Sequence, residues 1–107
     1  MSQPELFDII ELLVDLPNYH LRAGSQGAIV ECFAAGEYEV EFANEEGETL
    51  ELCTLSSEAF LVVWKASTKS WLSVSERLGA VLSRLSEERQ QEVLEFARSV
   101  YSPGKTG

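Results

Sequence analysis

Basic residues are almost missing from the first part of this chain. Between Met1 and Val63 stand thirteen Asp and Glu residues and a single basic one, Arg22, a net of −12. From Trp64 to Gly107 the balance turns, with five Glu against seven Lys and Arg, a net of +2. The whole chain of 107 residues carries −10. Nucleic-acid affinity rests on cation contacts to phosphate, so the acidic part disfavours DNA and RNA. Anionic membranes are disfavoured for the same reason. A basic protein partner stays compatible, beside the plainer reading of a solvated acidic surface.

Histidine is also scarce, since His20 is the only one. A Cys–His or Ser–His nucleophile would have to use it, and no acid is placed nearby in sequence to orient it. The two cysteines, Cys32 and Cys53, form no Cys-x-x-Cys pair. Zinc would need both, His20 and a fourth ligand, so no metal or cofactor is expected. By alternation, Cys32 shares a face with Val30 and is expected buried, and Cys53 shares one with Glu51 and is expected more exposed. No run approaches the ~18 apolar residues of a membrane helix. The opening "MSQPELFDII" has no basic region, and Asp8 and Glu11 break its apolar stretch. A cytoplasmic protein with reduced thiols is the expectation.

What is present is an ordinary globular composition, 45% hydrophobic and 24% charged. The length suits one domain with an appended element. "LFDIIELLVDL" fits either a helix or a buried strand, and a strand over Ile10–Leu13 is favoured. Pro17 to Gln26 reads as a loop punctuated by Gly24 and Gly27. Strands follow at Ala28–Ala34, Tyr38–Ala43, Thr49–Cys53 and Phe60–Trp64, joined by "AAGE", "NEEG" and "SSE". Short strands at this spacing indicate a mainly β fold, a small antiparallel SH3-like barrel over 1–64. "KASTKS" opens a polar linker, 65–72. A helical tail over 73–102 follows. Ser73 and Glu76 form a capping box, and Ser86 with Glu87 and Glu88 starts a second helix. The expected helices are 74–84 and 87–101, as a hairpin or one kinked helix, stopped by Pro103 and Gly104.

Two resemblances arise from these motifs. "LPNYHLRAGSQGAIVECF", then "YEVEF", then "GETLEL" resembles a family of small uncharacterised bacterial proteins, a domain of unknown function. It covers about Ile10–Val63 and implies an SH3-like barrel with no assigned catalytic residues. It also implies adaptor roles or toxin–antitoxin-like gene pairs. "LSEERQQEVLEFARSV" is similar to the helical segment of small antitoxin-type proteins, with Ser86 where those carry proline. The Gly24–Gly27–Val30 spacing is similar to that of RNA-contacting barrels, but those rely on Lys and Arg, and this segment has Arg22 alone.

The glutamates carry the main question. Alternation puts Glu37, Glu39 and Glu41 on one face, with Tyr38, Val40 and Phe42 on the other. Glu51 is expected to join the acidic face, with Leu50 and Leu52 pointing inward. A glycosidase needs two carboxylates across a cleft, which a convex stripe does not offer. "NEEGETLE" does not match a calcium loop. The face is therefore solvent-facing or a docking surface for a basic partner. Trp64 and Trp71 flank the linker, either packing helices on the barrel or anchoring an interface. With Leu78, Leu82, Val93, Phe96 and Val100 they form the expected helical interface. The expected function is non-enzymatic: a protein-interaction module whose tail dimerises or binds a partner. The alternative is an antitoxin-like inhibitor docking a basic partner through its acidic sheet.

Overall fold

The computed structural model describes residues 3–102. The chain divides into two units after Arg77. The first holds six strands: β1 (Ile9–Leu12), β2 (Gln26–Cys32), β3 (Glu37–Ala43), β4 (Thr49–Ser56), β5 (Phe60–Lys65) and β6 (Ser70–Trp71). Two helices follow, α1 (Val74–Leu82) and α2 (Glu87–Tyr101), and the division falls within α1. The class is the expected one, mainly β with a helical tail. Pro103 and Gly104, the expected stop, lie outside the described residues.

The strands form one antiparallel sheet in the order β4-β3-β2-β1-β5-β6. β1 to β4 run as a meander, and β5 then returns to pair with the free side of β1. β4 and β6 remain edges, so the sheet is not closed into a barrel. It is strongly coiled nonetheless. Tyr38 of β3 and Phe60 of β5 stand three strand steps apart, roughly 14 Å across a flat sheet. Their rings meet edge to face at 5.7 Å. Bending brings them together over one core that includes Ile10, Leu12, Ile29, Val40, Phe42 and Cys53. Each such buried apolar side chain contributes roughly 1.5–3 kcal/mol.

Local chemistry explains the turns. The Asn44 side chain accepts from the backbone N–H of Glu46 and of Glu48, both at 2.9 Å, and Gly47 takes φ 84°. That is an Asx turn closed by the residue that tolerates positive φ. The Ser56 hydroxyl accepts from Glu58 N–H at 3.2 Å at the next corner. The segment 65–72, expected as a linker, is built into the sheet. Lys65 ends β5, a turn follows, and Ser70–Trp71 forms β6 against it. Leu72 N–H then donates to the Val63 carbonyl at 2.9 Å.

Register departs from simple alternation at three bulges, one of them on β5, where Ile9 faces Trp64 and Ile10 faces Val62 so that Val63 is extra. Ala43 faces Thr49 while Phe42 faces Glu51, so Leu50 is an extra residue on β4. Ile29 faces Val40 while Glu31 faces Glu39, so Val30 is extra on β2. One extra residue reverses the faces of everything beyond it. This corrects three expectations. Leu50 and Leu52 point outward, 56% and 52% exposed. Glu51 takes the side of Phe42 rather than the acidic face. The cysteines exchange places: the β4 bulge sets Cys53 opposite Val40, 1% exposed, whereas Cys32, opposite the core-side Tyr38, is exposed because β2 ends there.

The helices start where expected. Ser73 N–H donates to Glu76 Oε1 at 2.9 Å, and Glu76 N–H donates to Ser73 Oγ at 3.1 Å. These reciprocal bonds, the backbone one first, hold the Glu76 carboxyl below its ordinary range. Ser86 Oγ accepts from Arg89 N–H at 3.2 Å and caps α2. Gln90 Nε2 donates to the Leu82 carbonyl at 2.8 Å, satisfying an acceptor at the end of α1.

Candidate interaction surfaces

The acidic face is real in register and differs by one member. Glu37, Glu39 and Glu41 alternate along β3 with buried Tyr38, Val40 and Phe42. On β2, Glu31 stands directly opposite Glu39 and joins them, taking the place expected for Glu51. On β4 the residues opposite are Ser56, Thr54 and Leu52. Glu41 accepts from the Thr49 hydroxyl. None of these four glutamates takes part in an ion pair among the described residues, where both salt bridges belong to Lys65. Like charges held side by side cost stability. The sheet bears that cost here because the stripe is open to water.

Trp64 and Trp71 sit opposite one another on β5 and β6, ring centroids 6.4 Å apart and tilted by 60°. They form a cross-strand pair, with Trp64 half-buried and Trp71 exposed. In the tail, neither helix contains a buried residue. Leu82 and Val93 are half-buried, whereas Leu78, Phe96 and Val100 are exposed, Phe96 at 70%. Leu78, Val81, Leu82 and Leu85 recur at helical spacing, as do Val93, Phe96, Ala97 and Val100.

A cluster that sequence reading overlooks lies at the start of the chain. Asp8 is completely buried. Its Oδ1 accepts from Ala66 N–H at 2.8 Å, and its Oδ2 accepts from Glu5 N–H at 2.9 Å and from Lys65 Nζ at 2.8 Å. Lys65 also reaches Glu5 Oε1 at 3.0 Å and the Gln3 carbonyl at 3.2 Å. Burial acts to lower the Lys65 pKa, but hydrogen bonds and charge from Asp8 and Glu5 outweigh it, and the ammonium titrates above the ordinary lysine range. Every Asp8 oxygen is satisfied, so the group acts as a staple between the amino-terminal segment and the end of β5. The available signal was an aspartate inside the apolar run "LFDII".

Residues 6–62 match the model of a domain of unknown function, DUF4926. The chain belongs to this family. No curated protein and no solved structure matches the chain. The DUF4926 match takes in β1 to β4, the first half of β5, the acidic face and Asp8. Lys65, the tryptophan pair and both helices lie beyond it. The family description assigns no activity.

Within the DUF4926 domain His20 is exposed at the end of a short 3-10 turn, Pro17–Tyr19. No group of three or more His, Cys, Asp or Glu that could hold a metal occurs among the described residues. No helix there is long and apolar enough to cross a membrane. Cys32 opens on a shallow pocket of about 460 Å³ shared with Gln3, Phe33, Tyr38 and Ser57. Cys53 is sealed in the core, and burial followed by the charge of Glu51 pushes its thiol pKa up. A thiol reagent should therefore label one cysteine quickly under native conditions and the second only on unfolding. Mass mapping should find Cys32 modified first, and equal rates at both would contradict the placement of Cys53.

Proposed function

We propose that this protein is a non-enzymatic interaction module, with the β domain as scaffold and the helical tail as its interface with a second copy of the chain. One observation carries the reading. Two helices of 9 and 15 residues bury no side chain, yet both carry an apolar stripe. Helices this short are marginal alone and draw stability from covering such a stripe. A contiguous exposed apolar surface marks an interface. The charges of α2 suit an antiparallel partner helix, with Glu87 and Glu88 in the first turn and Arg98 in the last. The same reading places the module in the cytoplasm, where Cys32 stays reduced.

Light scattering on the full chain tests it. The expected mass is that of a dimer, and Phe96→Ser with Val100→Ser should give a monomer with reduced helix content by circular dichroism. A monomer before and after substitution, with helicity unchanged, removes the proposal.

A second reading has its own observation, the stripe Glu31, Glu37, Glu39 and Glu41, which takes part in no ion pair among the described residues. In it the protein resembles an antitoxin-like inhibitor that masks a basic partner through the acidic sheet face.

A further inference from the structure

We propose that the free edge of β4 is a strand-addition site for an extended, basic segment of a partner protein. The proposal rests on the second reading above, and adds the geometry by which a basic partner is held. β4 is the outermost strand on its side of the sheet and is eight residues long. Beyond its ladder with β3, no backbone hydrogen bond joins it to another element among the described residues. Strand edges of this kind template pairing with other chains, and proteins normally blunt them with proline, lysine, bulges, inward charges or shortness. The opposite edge, β6, is two residues long and so protected. β4 reads "TLELCTLS", without proline or a basic residue. Its bulge at Leu50 and its one charge, Glu51, sit at the turn end, leaving Leu52–Ser56 undefended.

The outer face selects the occupant. Along it β4 presents Leu52, Thr54 and Ser56, in register with Glu41, Glu39 and Glu37. An added strand would lie about 4.8 Å beyond β4 and about 10 Å from β3. A lysine or arginine can cross that gap over the short Thr54 and Ser56 and end against Glu39 and Glu37. Beside the exposed Leu52 and Leu50, apolar side chains are the match. The occupant therefore alternates, with two basic residues spaced by one, then two apolar residues at the same spacing. Main-chain hydrogen bonds supply the hold and the alternate side chains the selectivity. A second copy is the poorer fit, because it would carry its own glutamate row onto the same continuous face.

The test uses the full chain and two fluorescent synthetic peptides, Arg-Thr-Arg-Thr-Val-Thr-Val and its reverse, since an edge accepts either strand direction. Anisotropy should show saturable binding of one at low salt. Affinity should fall about tenfold on raising salt from low to moderate. The variant E37K/E39K should bind at least about tenfold more weakly, as charge pairing requires. Two complementary N-methylated peptides, each blocking alternate amides, decide the geometry. One should lose binding and the other keep it. If both bind as the parent does, strand addition is wrong while acidic docking stands. If binding ignores salt and E37K/E39K, both ideas fall, as they do if neither peptide binds. Concentration-dependent hydrogen-exchange protection of β4 amides in the free protein would assign the edge to a second copy and overturn the proposal.

Discussion

Replacing Gly27 with valine should strongly destabilise the β domain. Gly27 lies within β2, opposite Ile10 of β1 and beneath Phe42 of β3. A Cβ there would stand 2.8 Å from the Glu41 backbone oxygen, 2.8 Å from Val40 Cγ1 and 2.9 Å from Phe42 Cδ1. The side chains can turn aside, but the carbonyl belongs to the β2–β3 ladder and moves only if the strands part. Overpacking a core costs typically about 1–3 kcal/mol. Alanine should reach the upper part of that range, and valine should exceed it. The margin of a domain this size is about 5–15 kcal/mol. Urea titration followed by tryptophan fluorescence gives the shift in midpoint. A Gly27→Ala midpoint equal to the parent's would show that the strands do not approach this closely.

The second large effect belongs to the Asp8–Lys65 staple. Lys65→Met leaves the carboxylate of Asp8 buried without its counter-charge, which costs about 3–5 kcal/mol. Asp8→Asn keeps the shape and removes the charge. The double variant should lose less than the two single losses added together, with a coupling of about 2 kcal/mol. Additive losses would mean that the two residues stabilise the domain independently. The pH response has a fixed sign. The folded pKa of Lys65 is raised, so its contribution is fully present below the unfolded lysine value of about 10.4. It is lost as pH rises through the higher folded value. The parent should therefore weaken in strongly alkaline solution through a component that Lys65→Met lacks.

Much of this architecture was legible because its signals are local. Ser73 with Glu76, and Ser86 with two following acids, mark both helix starts within four residues of chain. Asn44 and Gly47 mark the hairpin turn. The succession of β1 to β5 along the chain follows from such punctuation, but the pairing of β5 with β1 and the short β6 do not. What escaped depends on distance or on one residue's worth of register. Nothing in "NEEGETLEL" shows that Leu50 is the extra residue, so counting alternation through it sends Leu52 inward and Cys53 outward. Gly27 reads as loop punctuation, whereas its role comes from Phe42 on another strand. Asp8 stands out in its apolar run, but its partner is 57 residues away. In the acidic site, β3 was readable from its own alternation. The substitution of Glu31 for Glu51 needed the pairing of three strands.

The position of β1 bears on how the chain is made. Of the six strands it is made first, yet it ends up flanked by β2 and by β5. The meander of β1 to β4 can form while synthesis continues, but one side of β1 stays unpaired until Phe60–Lys65 emerges. At ordinary elongation rates that wait lasts several seconds. Such distant pairings are also the slow ones to form, because loop-closure entropy is spent before the contacts return it. Asp8 gains its counter-charge and the Ala66 hydrogen bond only when Lys65 and Ala66 arrive. The ion pair thus acts late, as a latch on a nearly complete sheet. A nascent chain stalled before that point would present the unpaired edge of β1 to chaperones.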